Sequence, residues 1–271
     1  MTNEQNPRVS VVVPTFNEEG NPTELVAQLE RALCDFDWEV IFVDDDSTDS
    51  TLEELQALSA DHRRVRYIQR IGRRGLSSAV VEGMLSSSAS TLAVMDADLQ
   101  HDPMTLPAML YLVQGGDCDI AVGSRYVAEG GIGKWAQDRA RKSRLATALA
   151  AKFFPIEIAD PMSGFFVISR EAFRHSVRQL SNQGYKILLD IILSSSKPMR
   201  VREVPYTFGE RSRGVSKLDS SVALDYVIML LDKKVGHIIP PRFLFFAAVG
   251  SSGVFVHIAC LAVLMQLLSF A

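Results

Sequence analysis

Cysteine is scarce in this 271-residue chain. Cys34, Cys118 and Cys260 are far apart and odd in number, and form neither a CxxC pair nor a zinc spacing with histidine. A zinc site is thereby excluded, and buried thiols in a reducing compartment are the simplest expectation. Positive charge is not in excess either: 28 Lys and Arg stand against 32 Asp and Glu, a net charge of −4. That excludes a generally nucleic-acid-binding surface and leaves only local basic patches open. The first eight residues are polar, so no cleavable signal peptide is expected. Neither an internal repeat nor a low-complexity segment occurs. The most consequential absence is at the other end, where residues 243–271 contain no Asp, Glu, Lys or Arg.

A stretch of about 20 apolar residues suffices to cross the hydrocarbon core of a bilayer, so this run can span, and it is too long and uniform for a buried hairpin. Lys233, Lys234 and Arg242 lie just before it. By the positive-inside rule they place the preceding domain on the cytoplasmic side of the cell membrane. The expected organisation is a cytoplasmic domain over residues 1–217, an amphipathic juxtamembrane segment over 218–241 and a transmembrane segment over 242–271, the last an incomplete membrane domain. A hydrophobic content of 47% is ample for the core of one large α/β domain.

Short β-branched runs predict strands at residues 9–13, 39–43, 65–69, 91–95 and 120–123. Between them lie helical patterns through Leu25, Leu29 and Leu33, through Leu52, Leu55 and Leu58, and over residues 77–87. The alternation predicts a mostly parallel sheet with helices on its faces. Residues 165–169 and 201–208 are further strand candidates. Residues 134–154 read as a helix with Lys134, Arg139, Arg141, Lys142, Arg144 and Lys152 against the single acid Asp138. Such a helix is either a solvated face or a surface that receives phosphate and lies on anionic headgroups; the span downstream favours the second. Residues 209–217 form a glycine-containing basic loop able to close over a charged ligand, and residues 218–231 a largely apolar helix expected at the membrane surface.

Two strands end in acids. The run 91–95 leads into Asp96-Ala97-Asp98-Leu99-Gln100, and the run 39–43 into Asp44-Asp45-Asp46-Ser47-Thr48-Asp49. Hard oxygen ligands so placed suit Mg²⁺ or Mn²⁺ beside a phosphate. The alternative is a solvated turn in which Asp98 or Asp102 caps the next helix. Ligands of open α/β sheets bind outside the carboxyl ends of strands, so the two acidic ends can face one crevice. Like charges gathered there repel unless a cation or a set of donors compensates them.

These residues resemble the family-2 glycosyltransferases, and among them the dolichyl- and polyprenyl-phosphate sugar synthases. The resemblance runs through residues 12–18, 43–49, Gly75-Leu76-Ser77-Ser78-Ala79, residues 95–101, Gly123-Ser124-Arg125-Tyr126-Val127, Asp160-Pro161-Met162-Ser163-Gly164-Phe165, Gly184-Tyr185-Lys186-Ile187-Leu188 and residues 203–218. Each motif is weak alone, and eight in order are specific. The stretch 242–253 is similar to the start of the multi-helix membrane domain attached to some members. The implied fold is GT-A, the Rossmann-like mixed sheet of nucleotide-diphospho-sugar transferases. The implied reaction is inverting transfer of a hexose from a nucleotide sugar to a polyprenyl monophosphate.

Carried over by position, the resemblance implies a nucleotide-sugar pocket of Pro14, Phe16, Glu18, Val43, Asp45, Asp96, Ala97, Asp98, Gln100, Lys186, Arg211 and Lys217. Asp45 would accept from the base, and Phe16 stands where a tyrosine is common. Asp96, Asp98 and Gln100 would hold the divalent cation, Mg²⁺ or Mn²⁺, while Arg125, Arg139 and Ser143 would hold the acceptor phosphate. Asp98, Arg125 and Arg139 are the expected catalytic residues. For Lys186 and Ser143 taken singly, a surface residue or a helix-packing hydroxyl is the competing reading. A lipid monophosphate is mostly a dianion at neutral pH, its second pKa lying near 6, so no side chain need act as general base. The chemical demand is to offset charge on two phosphate groups that meet at one sugar carbon. The expected donor is GDP-mannose, with UDP-glucose or another UDP-sugar as the alternative. A non-catalytic membrane-anchored nucleotide-sugar binder is disfavoured by the intact acidic and arginine sets, and a processive polysaccharide synthase by the absence of Gln-x-x-Arg-Trp. The expected partners are therefore the donor, the lipid acceptor and the membrane, without nucleic acid.

Overall fold

A computed structural model describes residues 9–127, 158–181, 186–209 and 241–269. The chain divides into two compact units, residues 1–226 and 227–271. In the first, seven strands form one sheet: β1 (Val9–Thr15), β2 (Trp38–Asp44), β3 (Val65–Gln69), β4 (Thr91–Val94), β5 (Ile120–Ser124), β6 (Phe166–Ser169) and β7 (Val201–Pro205), in the order β3-β2-β1-β4-β6-β5-β7. Among the described residues they are accompanied by the helices α1 (Asn21–Ala32), α2 (Thr51–Asp61), α3 (Leu76–Ser86), α4 (Leu106–Gln114), α5 (Arg170–Ser176) and α6 (Ile187–Ser194).

Alternation along the strands sorts the core into two layers. Val9, Val11, Val13, Val40 and Phe42 pack with Leu25 and Leu29 of α1, Leu55 of α2 and Leu110 of α4. Val12, Ile41, Val43, Leu92 and Val94 face the other way, onto Val80 and Met84 of α3, Phe173 of α5 and Ile191 of α6. Burial on both faces explains why β1 and β2 are continuous apolar runs rather than alternating ones. Ser10, wholly buried in β1, is matched by Glu39 and Ser87, each at 2.7 Å, so it leaves no unanswered polar group in the core.

The five predicted strands are all present, with bounds moved by two residues at most. The sheet differs from a parallel one at β6, which runs antiparallel to both β4 and β5. The segment before β6 therefore arrives at the edge where β4 and β5 end. One expectation is corrected: Cys118 is buried, but Cys34 and Cys260 are exposed. Leu33 takes the inward position at the end of α1, which turns the next residue, Cys34, outward.

The second unit contains α7 (Pro241–Ser269). Its stretch Val249–Gln266 is long and apolar enough to cross a membrane and is nowhere buried in protein. At 1.5 Å per residue it measures about 27 Å, near the thickness of a hydrocarbon core. Cys260 lies on this helix, which accounts for its exposure. The basic stretch 134–154, the apolar stretch 218–231 and the loop 210–217 lie outside the described residues.

Candidate active site

β1 and β4 are neighbours whose connections lead to opposite halves of the sheet, the switch point at which α/β folds open a crevice at their carboxyl edge. Strain collects at that edge. Asn17, Asp46 and Leu99, following β1, β2 and β4, have φ of 51°, 62° and 61° and are the non-glycine residues with positive φ among the described residues. Left-handed backbone at a residue such as Leu99 costs on the order of 1–3 kcal/mol and is retained where a loop must aim particular groups.

At the end of β2, Asp44 is wholly buried and accepts hydrogen bonds from the backbone N–H (3.0 Å) and hydroxyl of Ser47. Asp45 accepts from Arg70 Nη1 on one oxygen and from the Gly75 N–H on the other, both at 2.7 Å. Arg70, 3% exposed, also donates to Ser78 Oγ at 2.6 Å and lies 3.3 Å from Glu82. Gly75 closes this loop at φ +142°, a conformation side chains rarely adopt. Phe16 carries the guanidinium of Arg74 over its ring at 4.2 Å. Glu18 donates its N–H to Thr51 Oγ1 and accepts from Asn21. Pro14 is half-buried in β1. Val43, main chain included, is wholly buried in the core.

At the end of β4, Ala97, Asp98 and Gln100 are buried, whereas the side chain of Asp96 is 36% exposed. Asp98 Oδ1 accepts from the Gln100 N–H at 3.2 Å, and Asp102 caps the following turn through Met104 N–H. Gln100 Nε2 donates to the Gly209 carbonyl, and Gly209 N–H returns a bond to the Gln100 carbonyl. Beneath the turn sits His101, which stacks on Phe165 and accepts the Asp96 N–H at Nδ1, so its proton is on Nε2. Burial pushes its pKa down to about 4, which keeps it neutral. A Cβ on Gly164 would come within 3.2 and 3.3 Å of the two Asp96 oxygens, so glycine there gives that carboxylate its room.

At the end of β5, Arg125 is buried and bound along its edge by Asp160: Nε at 2.7 Å and Nη2 at 2.8 Å. Burial works against the guanidinium charge, yet the hydrogen bonds and charge of Asp160 outweigh it and hold its pKa above the usual value. Lys186, before α6, is lowered by burial and by the charge of Arg125, while Asp160 and Asp96 act in the opposite sense. Burial also raises Tyr206, whose hydroxyl is among the buried groups with no hydrogen-bond partner among the described residues.

The structure thus gathers Asp96, Ala97, Asp98, Gln100, Arg125 and Lys186 at one edge, with Pro14, Phe16, Glu18 and Asp45 at the ends of β1 and β2. Arg139, Ser143, Arg211 and Lys217 lie outside the described residues. Sequence reasoning assigned no role to Arg70, His101 or Asp160. The last two stand inside quoted motifs, directly after Gln100 and at the head of Asp160-Pro161-Met162-Ser163-Gly164, and that position was the available signal.

Residues 10–177 match the family described as Glycosyl transferase family 2. A dolichol-phosphate mannosyltransferase of Pyrococcus furiosus is 40% identical over 254 residues, covering 92% of this chain and 70% of that protein. The Saccharomyces cerevisiae protein of the same name is 37% identical, covering 82% of this chain and 85% of that protein. Among solved structures, glucosyl-3-phosphoglycerate synthase of Mycobacterium tuberculosis, in complex with Mn²⁺, UDP-glucose and phosphoglyceric acid, superposes with a TM-score of 0.64 at 19% identity, covering 84% of this chain and 79% of that one. That likeness is one of fold, and the sequence matches carry the conclusion: the chain belongs to the family-2 glycosyltransferases.

Proposed function

We propose that this protein transfers mannose, with inversion, from GDP-mannose to a polyprenyl monophosphate. The observation that carries the reading is an acidic edge, Asp96 and Asp98 after β4, and an oriented cation, Arg125 after β5, at the ends of the two strands that flank β6 in one sheet. It is joined by 40% identity to a protein named for dolichol phosphate and mannose. A phosphate oxygen of the acceptor attacks the anomeric carbon from the face opposite the nucleotide. The bond to the diphosphate breaks as the new one forms, and the nucleoside diphosphate leaves with the electron pair. The acceptor is already a dianion, so the protein's work is to position and to offset charge. Arg125 receives the acceptor phosphate, aided by Arg139 and Ser143; Lys186, Arg211 and Lys217 meet the donor's phosphates; Pro14, Phe16, Glu18 and Asp45 form the nucleoside end, with Val43 beneath them.

The acidic edge also fits a divalent cation. Gly164 leaves the Asp96 carboxylate room, Asp98 stands two residues on, and Gln100 has its nitrogen fixed on Gly209, which makes Oε1 the ligand atom. Among the described residues no group of three or more His, Cys, Asp or Glu could hold a metal. This donor set thus suits an ion that completes its shell with phosphate or water oxygens. When bound, such an ion supplies Lewis-acid stabilisation of the leaving diphosphate. The apolar α7 and the basic residues before it support a catalytic unit that works at the cytoplasmic face of the membrane, where it would meet a lipid phosphate.

The test is a membrane fraction washed with alkaline carbonate and supplied with polyprenyl phosphate and either GDP-mannose or UDP-glucose. Mannosyl-phosphoryl lipid formed by the washed pellet is the expected result. A glucosyl lipid alone would overturn the donor, nucleotide binding without lipid product the enzymatic reading, and release of the protein by carbonate the membrane span.

A further inference from the structure

Asp160 is a wholly buried carboxylate against Arg125, the residue assigned above to the acceptor phosphate. By charge alone it is unfavourable there, because it subtracts a charge from the cations that must receive phosphate. Its contacts show what it contributes instead. Besides the paired bonds to Arg125 Nε and Nη2, Asp160 Oδ2 accepts the backbone N–H of Arg125 at 3.2 Å. One carboxylate thus grips both the main chain and the far end of the same residue. The two rings of Tyr126 and Phe208 stand 5.5 and 5.4 Å from the guanidinium carbon.

The carboxylate is itself anchored. Glu203 of β7 accepts the N–H groups of Ala159 and Asp160 at 2.9 and 3.0 Å, and the Asp160 carbonyl accepts Ser163 N–H at 3.2 Å. Ser163 in turn donates to the Gly123 carbonyl of β5 at 2.7 Å. A chain of contacts therefore runs from β7 through the segment before β6 to the arginine at the end of β5. We infer that Asp160 is the positioning residue for Arg125, fixing the plane of its guanidinium so that the acceptor phosphate meets a preorganised fork. This rests on the reading of Arg125 as an acceptor-phosphate ligand.

The two effects of Asp160 differ in sign, which makes the inference testable. If only charge mattered, Asp160→Asn would leave the pocket more positive and lower the acceptor KM. If Asp160 orients Arg125, the same substitution turns an amide N–H toward the guanidinium, spoils the fork and weakens acceptor use. With purified full-length protein, Asp160→Asn is expected to lower kcat/KM for polyprenyl phosphate by at least about tenfold, the scale of one charge-assisted contact, with GDP affinity by calorimetry held within about twofold. In an Arg125→Ala background it should cost no more than about twofold further, because residues acting as one unit are not additive. An unchanged or lowered acceptor KM for Asp160→Asn, or losses that multiply in the double variant, would overturn the inference. An Arg125→Ala variant with unaltered acceptor kinetics would instead overturn the underlying assignment of Arg125. Should Asp160→Asn not fold, Arg125→Lys decides: it keeps the charge but cannot form the paired contact, so full acceptor use by Arg125→Lys also sinks the proposal.

Discussion

The two acidic strand ends, β2 and β4, lie on either side of β1 at the same edge of the sheet, and they differ in what stands against their charge. Asp45 is 7% exposed and has a guanidinium and a backbone N–H, each at 2.7 Å, on its two oxygens. Asp96 has a side chain 36% exposed, with the neutral imidazole of His101 at 3.8 Å, and its charge acts on the Lys186 ammonium rather than on a guanidinium bound to both its oxygens. The first carboxylate has its counter-charge built into the fold and ties the loop of residues 70–75 to β2. The second faces outward, one residue from another acid, with a glycine opposite that keeps it uncrowded. Similar acidic strings at similar places can thus do different work: burial with a fixed cation makes a brace, and exposure beside a neutral base makes a receiving surface.

Removing the brace should have the largest effect. Asp45→Ala leaves the buried Arg70 only its longer contact to the partly exposed Glu82, and breaking a buried pair from one side costs up to about 3–5 kcal/mol. Chemical denaturation is the measurement, and nucleotide affinity should fall with it as the 70–75 loop loosens. A cost below about 1 kcal/mol would rank this pair with surface ion pairs and remove the contrast. At the receiving surface the expected pattern is reversed. Asp96→Ala should leave the unfolding midpoint nearly unchanged while lowering transfer by at least about 10²-fold, the scale of a lost transition-state charge stabiliser. Exhaustive chelation of the wild-type enzyme should do the same. Full activity after either treatment would take the metal assignment away.

What was legible in the sequence is what is local along the chain. The β-branched runs marked β1, β2, β4 and β5 because both faces of each are buried, whereas β3 is an edge strand of mixed burial; the acids after β2 and β4 could be read because the fold places strand ends at one edge. Partners set by topology were not legible. Arg70 reaches Asp45 because β3 pairs with β2 and ends beside it, and nothing near residue 70 in sequence says so. Asp160 reaches Arg125, 35 residues away, because β6 is antiparallel, and four residues, Phe-Val-Ile-Ser, carry no signature of direction. Thus the acids proposed to bind were marked by position, while the residues paired with Asp45 and Arg125 required the sheet order. The same limit applies to Cys34, whose exposure follows from the phase in which α1 ends.

The smallest predicted effect sharpens the comparison from within the brace. Glu82 on α3 is approached by two arginines: Arg70 at 3.3 Å, whose side chain is 3% exposed, and Arg73, which forms a pair of 3.0 Å bonds and is 55% exposed. Geometry alone would rank the Arg73 contact higher, since it is paired and shorter. Solvent reverses the ranking, because water and salt screen an exposed pair and holding a long side chain costs entropy. Arg73→Ala is therefore expected to cost less than about 1 kcal/mol in urea denaturation and to lose even that in high salt. GDP affinity should stay within about twofold, since the loop would still be held from inside by Asp45, Arg70 and Ser78. A loss from Arg73→Ala as large as that from Asp45→Ala would mean that the loop is fastened from the solvent side. The buried pair would then be a consequence of the loop's position rather than its cause.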